Sequence, residues 1–149
     1  MLTRVVVSSH IGNPYVSRGK EYTKTMTIWQ SGRESALLDD IIAGRKTIEG
    51  RLKKDKFAKY RVGDTVALRR DIRDESGILH DGEPDAARVK VIAVREYPDF
   101  LTMVTTEGYE RVIPSASSPE EAAAEYEKYY SAEDQAIYGV LAIEIEPTE

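Results

Sequence analysis

Gly44-Arg45-Lys46-Thr47-Ile48-Glu49-Gly50-Arg51-Leu52 sets the frame for the rest of the chain. From Thr47 to Leu52 apolar and polar residues alternate, which predicts a strand with Ile48 and Leu52 toward the core and Thr47, Glu49 and Arg51 on the opposite face. Glu49 and Arg51, two residues apart on that face, are close enough to pair. Immediately upstream, Leu37, Leu38, Ile41 and Ile42 form the apolar stripe of a helix, with Gly44 as its natural stop. Ser31 and Glu34 have the spacing of a capping box and place the helix start there. Lys24-Thr25-Met26-Thr27-Ile28-Trp29 also alternates and predicts a preceding strand with Met26 and Ile28 inward.

Downstream, Val62-Gly63-Asp64 reads as a turn feeding a strand at Thr65 to Leu68, and Val89 to Val94 reads as another strand. The polar stretch between them, Asp71 to Asp85, is expected to be a mobile loop. Its Asp71-Ile72-Arg73-Asp74 lacks the oxygen spacing of a calcium loop. Pro98-Asp99-Phe100-Leu101 opens a short helical turn that ends near Glu107-Gly108. Ser118-Pro119-Glu120-Glu121 combines an N-cap serine, a first-position proline and early glutamates, so a helix should run to about Tyr130. Tyr126, Tyr129 and Tyr130 take helical spacing and are expected to pack it on the barrel, or else to form a partner surface. Tyr138 to Ile145 reads as a closing strand. Strands with inserted helices indicate an α+β domain with a mixed, barrel-like sheet.

The composition fits that reading. With 149 residues, 41% hydrophobic, 32% charged and only 10 Gly and 6 Pro, the chain is long enough for one core and unlike disordered or collagen-like sequences. Residues 1–23 are set apart as an N-terminal extension packed on a domain of residues 24–149. No apolar run reaches the roughly 20 residues that cross a bilayer, and the start lacks the pattern of a secretory leader, so a cytoplasmic location without membrane contact is expected. There is no cysteine, and two histidines, His10 and His80, stand far apart, so neither disulfides nor a zinc site are expected. No cofactor is called for: the chain has no P-loop and no G-x-G-x-x-G. Ser8-Ser9-His10 puts a hydroxyl beside an imidazole, but sequence adjacency does not aim one at the other.

Charge is unevenly spread. The net charge is −5, which argues against binding polyanions by bulk charge alone. Yet Arg45, Lys46, Arg51, Lys53, Lys54, Lys56, Lys59 and Arg61 stand against only Glu49 and Asp55, a local net of +6. From Ser118 onward nine carboxylates face one lysine, a net of −8. Such polarity lets one face meet a polyanion while the other keeps the protein dispersed. The acidic C-terminal helix is also a candidate surface for a protein partner.

Gly44-Arg45-Lys46-Thr47-Ile48-Glu49-Gly50-Arg51 resembles the complete G-x-K-x-x-E-x-R signature of the ASCH (activating signal cointegrator homology) family. Ile41-Ile42-Ala43 before it, Tyr60-Arg61-Val62-Gly63-Asp64 after it and Tyr138-Gly139-Val140 extend the likeness over roughly Lys24 to Ile145. The resemblance implies a PUA-like β-barrel with peripheral helices and a cleft beside the motif, generally linked to RNA. In that setting Lys46, Thr47, Glu49 and Arg51 would line the cleft. The Arg51 fork suits a phosphate or a base edge, and Lys53, Lys54, Lys56 and Lys59 would track a single-stranded RNA backbone. Tyr60 and Trp29 are the stacking candidates, and a nucleotide or nucleoside is the smaller ligand option.

The resemblance also implies an alternative, a metal-independent hydrolase, since some ASCH proteins are of that kind. In those resembling N4-acetylcytidine amidohydrolases the lysine falls at Lys46 and a threonine nucleophile falls where this chain has Glu49, with Glu107 a loose counterpart of the family glutamate. Thr47 lies on the same predicted face at a different spacing. In those resembling ribonucleases, Lys46 would stabilise a pentacovalent phosphate and Glu49 would deprotonate a 2′-hydroxyl. Lys46 and Glu49 are thus the candidate catalytic pair of the hydrolytic alternative.

Overall fold

The computed structural model describes the backbone of residues 2–9 and 22–148. In chain order the elements are β1 (Leu2–Ser9), β2 (Tyr22–Glu34), α1 (Ser35–Ile42), β3 (Ile48–Leu52), a 3-10 turn (Asp55–Lys59), β4 (Thr65–Arg73), β5 (Leu79–Tyr97), α2 (Phe100–Glu107), α3 (Tyr109–Val112), α4 (Pro119–Glu127), α5 (Ala132–Tyr138) and β6 (Val140–Pro147). The strands pair in the order β1-β2-β4-β5-β6-β3. Among the described strands only β2 and β4 run parallel, and the other neighbours are antiparallel. The class is α+β with a mixed sheet, as its sequence indicates. Among the described residues the expected barrel is not closed by backbone pairing: β1 and β3 are the two edges of an open order.

β6 shows why both faces of this sheet are covered. Leu141, Ile143 and Ile145 enter one core with Trp29 of β2, Leu38 and Ile41 of α1, Val66 and Leu68 of β4, and Val89 and Val91 of β5. Val140 and Ala142 point the other way, into a second core with Ile48 and Leu52 of β3, Phe100, Met103 and Val104 of α2, and Ala122 and Ala123 of α4. A strand buried on both faces reads as a continuous apolar run, which is what Val140 to Ile143 shows. Ile48 and Leu52 therefore face a core as expected, but the opposite face of β3 is also enclosed.

Several sequence expectations meet competing interactions. The strand read at Lys24–Trp29 continues to Glu34, and α1 begins at Ser35 rather than after a Ser31 cap. Parallel pairing carries β2 on until Glu34 lies opposite Asp71. The Ser31 hydroxyl accepts from the Arg33 guanidinium instead of capping a helix, and the Glu34 carboxylate accepts from Arg73. The side chains of Met26 and of Ser8, Ser9 and His10 lie outside the described residues.

The stretch expected to be a mobile loop, Asp71 to Asp85, is instead the distal part of the β4–β5 hairpin. Asp74 makes the turn: its Oδ1 accepts from the amides of Ser76 and Ile78, and Gly77 takes the left-handed conformation, φ +82°. Most of this arm is exposed on both faces, so its ladder forms without a hydrophobic pattern to announce it. Helix starts at Asp99 and Ser118 are as read, each side chain accepting from the amide three residues on. α4 ends at Glu127, three residues short of Tyr130, and Tyr138 closes a separate helix, α5, so β6 starts at Val140.

Phe100 pins α2 to α4. It is fully buried and stacks on Tyr126, with centroids 4.3 Å apart, and on Tyr130 at 5.3 Å. Phe100→Ala is expected to cost about 3–5 kcal/mol. Urea unfolding measures this, and a loss below about 1 kcal/mol would mean that the aromatic triad does not hold the helical layer.

Candidate functional site

α1 ends where Gly44 adopts φ +78° and donates its amide to the Ile41 carbonyl. The Arg45 and Lys46 amides then both donate to the carbonyl of Asp40, and the Thr47 amide donates to that of Arg111. This connection aims Lys46 inward. Its ammonium is buried and donates to the carbonyls of Ile48, at 2.9 Å, and Val112. Burial and the neighbouring guanidinium groups lower its pKa to about 8, against the pull of Glu49 in the other direction.

Glu49 does not pair with Arg51 as the spacing on β3 suggested. Its carboxylate accepts from Nε and Nη2 of Arg33, at 2.5 to 2.9 Å, both side chains being buried. Burial alone would raise the Glu49 pKa, but Arg33, with help from Arg51 and Lys46, brings it down to about 2. Nη1 of Arg33 is also taken, by the Ser31 hydroxyl and the Gly32 carbonyl. The pair joins the C-terminal end of β2 to the edge strand β3, two strands that share no ladder. Side chains therefore span the gap that backbone pairing leaves open.

Beside this pair lies a cavity of about 360 Å³ between β3, the start of α1 and the end of α4. Lys46, Glu49 and Arg51 all line it, together with Arg33, Tyr126, Tyr129 and Tyr130. Arg51 lies over the Phe57 ring at 4.6 Å and reaches the Tyr130 hydroxyl at 3.5 Å, and among the described residues its buried Nε has no hydrogen-bond partner. Gly50 lets Tyr126 close the wall: a Cβ there would come within 2.8 Å of the tyrosine ring, whose hydroxyl accepts from the Gly50 amide.

The charges around the cavity do not cancel. Arg33 is neutralised by Glu49, Glu34 by Arg73, and Glu125 by Lys128. Among the described residues Lys46 and Arg51 have no carboxylate within ion-pair distance, so two positive charges remain. The lining suits a ligand with an anionic or acceptor-rich end.

Other sequence candidates lie elsewhere. Trp29 and Tyr60 are buried core residues, 5.0 Å apart, and neither lines the cavity. The Trp29 indole donates to Asp64, and burial pushes the Tyr60 phenol up to about 12. They cannot serve as stacking platforms while that core is intact. Thr47 is half-buried, its hydroxyl accepting from Arg111, and is not part of the lining. Lys53 pairs with Glu96, Lys54 lies over Tyr138, Lys56 donates to the Gln30 carbonyl and Lys59 is exposed. These four lie outside the cavity wall. Glu107 is bound by Arg95 and Tyr97 and is likewise absent from it.

Arg33 is the site residue that sequence reading missed. In a helix starting at Ser31 it would sit in the first turn, where the positive end of the dipole disfavours a cation. That conflict was the available signal. Acidic residues do occupy the first turns of α4 and α5, where they complement the helix dipole. No cluster of three metal-ligating side chains occurs among the described residues.

A family model described as the ASCH domain matches residues 35–149. The chain belongs to the ASCH domain family. Its fold is accordingly PUA-like. It is similar to hypothetical protein PH0355, known from a crystal structure, with 36% identity and a TM-score of 0.68 over 81% of this chain and 99% of that one. PF0455 from Pyrococcus furiosus, known from a solution structure, is 35% identical with a TM-score of 0.64, covering 82% of this chain and 98% of its own. EF3133 from Enterococcus faecalis, at 16% identity and a TM-score of 0.50 over 81% and 75% of the two chains, shares the fold alone. No curated protein matches. In this ASCH domain Arg33 lies ahead of the matched segment, so the motif glutamate takes its partner from outside it.

The low pKa of Glu49 ties the site to stability. Its folded-state value, about 2, lies below the ordinary 4.5, so the pair stabilises fully above that ordinary value. The contribution is lost as pH falls toward 2. Glu49→Gln should lose about 3–5 kcal/mol at pH 7 by leaving Arg33 buried and unpaired. It should also flatten the fall in stability between pH 4.5 and 2. Urea unfolding across that range checks both, and an unchanged slope would count against the assignment.

Proposed function

We propose that this ASCH domain binds single-stranded RNA, or a nucleotide within it, in the cleft formed by Lys46, Glu49 and Arg51. The observation that supports this reading is the pair of cations, Lys46 and Arg51, that have no carboxylate at ion-pair distance among the described residues, in a cavity that tyrosines help to wall. A polyanion with flat bases matches both features. Lys53, Lys54 and Lys59, exposed outside the cavity, add an electrostatic approach whose strength falls with salt. A cytoplasmic role is part of this reading. No helix among the described residues is long and apolar enough to cross a membrane.

The hydrolytic alternative has weaker support in the same geometry. A general base works best near the operating pH, whereas Glu49 is held ionised by Arg33 with a pKa near 2. Lys46, at about 8, is better poised, but two of its three donors are spent on backbone carbonyls. Glu49 is better suited to positioning Arg33 than to taking a proton.

Titration of labelled protein with a short single-stranded RNA, at low and then physiological salt, tests the reading through amide shifts. Shifts should centre on residues 46–51 and the end of α4 and persist with salt. Arg51→Gln should weaken binding at least about tenfold and lower the salt slope by about one. Shifts confined to Lys53, Lys54 and Lys59 and erased by salt would overturn the proposal.

A further inference from the structure

Tyr129 is the tyrosine of the cavity wall that the fold does not use. Tyr126 and Tyr130 spend their ring faces on Phe100. Tyr129, on the turn that ends α4, is 76% exposed, and among the described residues its ring has no aromatic or cationic partner and its hydroxyl no hydrogen bond. Its backbone is nevertheless held: the amides of Tyr129 and Tyr130 both donate to the Tyr126 carbonyl, and its two tyrosine neighbours are anchored in the helical core. A firmly based, water-exposed ring at the mouth of a cavity buries its apolar faces only when a ligand covers it, and a flat aromatic base does so with the favoured offset-stacked geometry.

The charge layout gives a direction to that ligand. The mouth carboxylates Glu34 and Glu125 are each paired with a cation, and the unbalanced charges, Lys46 and Arg51, belong to the inner wall. We propose that a nucleoside monophosphate unit enters phosphate first, its phosphate reaching Lys46 and Arg51 and its base stacking on Tyr129 at the mouth. This rests on the nucleotide-binding reading above and adds to it an orientation and a specificity-determining residue. The same unit is presented by a free nucleotide and by the 5′-phosphorylated end of an RNA.

Amide-shift titrations with adenosine 5′-monophosphate, adenosine, ribose 5-phosphate and a 5′-phosphorylated RNA tetranucleotide test it on the full chain. Adenosine 5′-monophosphate should bind at least tenfold more tightly than adenosine. Tyr129→Ala should weaken the nucleotide about 5- to 100-fold, the usual range for one stacked base. Tyr129→Phe should stay within about twofold of the parent, and ribose 5-phosphate should bind parent and Tyr129→Ala alike. Because Tyr129 is exposed, an unchanged amide spectrum of Tyr129→Ala verifies the fold. Tighter binding of the tetranucleotide than of the mononucleotide supports the proposal with an RNA end as the source, and equal binding supports it with the free nucleotide. Adenosine 5′-monophosphate bound equally by parent and Tyr129→Ala would overturn the stacking role while leaving the nucleotide-binding reading intact. Adenosine bound as tightly as its phosphate would overturn the orientation. Absence of binding by all four probes would overturn both readings.

Discussion

The Arg33–Glu49 ion pair is the constraint on which the site depends. It bridges two strands that make no backbone hydrogen bonds to each other, and it does so with both side chains buried. A buried pair of this kind is a poor source of net stability, because desolvation offsets most of the attraction. Its value lies in geometry. With both its oxygens taken by Arg33, Glu49 leaves Lys46 and Arg51, among the described residues, without a carboxylate at ion-pair distance. By tying β2 to β3, it sets the width of the opening between them. The glutamate of the motif is thus better understood as a fastener than as a reagent.

Gly50 and Lys46 extend the same logic along the motif. Gly50 admits the Tyr126 ring against β3, and Lys46 ties the start of β3 to the end of α3 through two carbonyls. Three positions of one short segment thereby fix three sides of the cavity: the β2 side through Glu49, the α4 side through Gly50 and the α3 side through Lys46. A contiguous signature in the sequence becomes a three-way junction in space.

Much of this was legible before the structure. The alternation around Ile48 and Leu52, the stop at Gly44, the helical turn opening at Pro98-Asp99, the cap at Ser118 and the family signature all rest on local rules that the fold respects. What was missed was decided at long range. β2 runs on through Ser31 because β4 offers a parallel ladder, and no pattern in residues 31–34 announces a partner more than thirty residues away. The β4–β5 arm buries little, so it carries no hydrophobic period to read. Trp29 and Tyr60 were candidate platforms because aromatics suit both cores and bases, and only their mutual packing distinguishes the two. Tyr129 differs from Tyr126 and Tyr130 only in which ring meets Phe100, which helical spacing alone does not resolve.

β6 has a further consequence. Its alternate side chains belong to two different cores, so the sheet interior and the helical layer have a wall in common. Neither layer can loosen by itself without exposing one side of that strand to water. Opening of α2 and α4 is therefore coupled to opening of β2, β4 and β5, and the domain is built to lose its structure as one cooperative unit rather than layer by layer. The cavity is bordered by β2 and β3 and by α1 and α4, so its walls draw on both layers. A ligand would meet a wall already assembled.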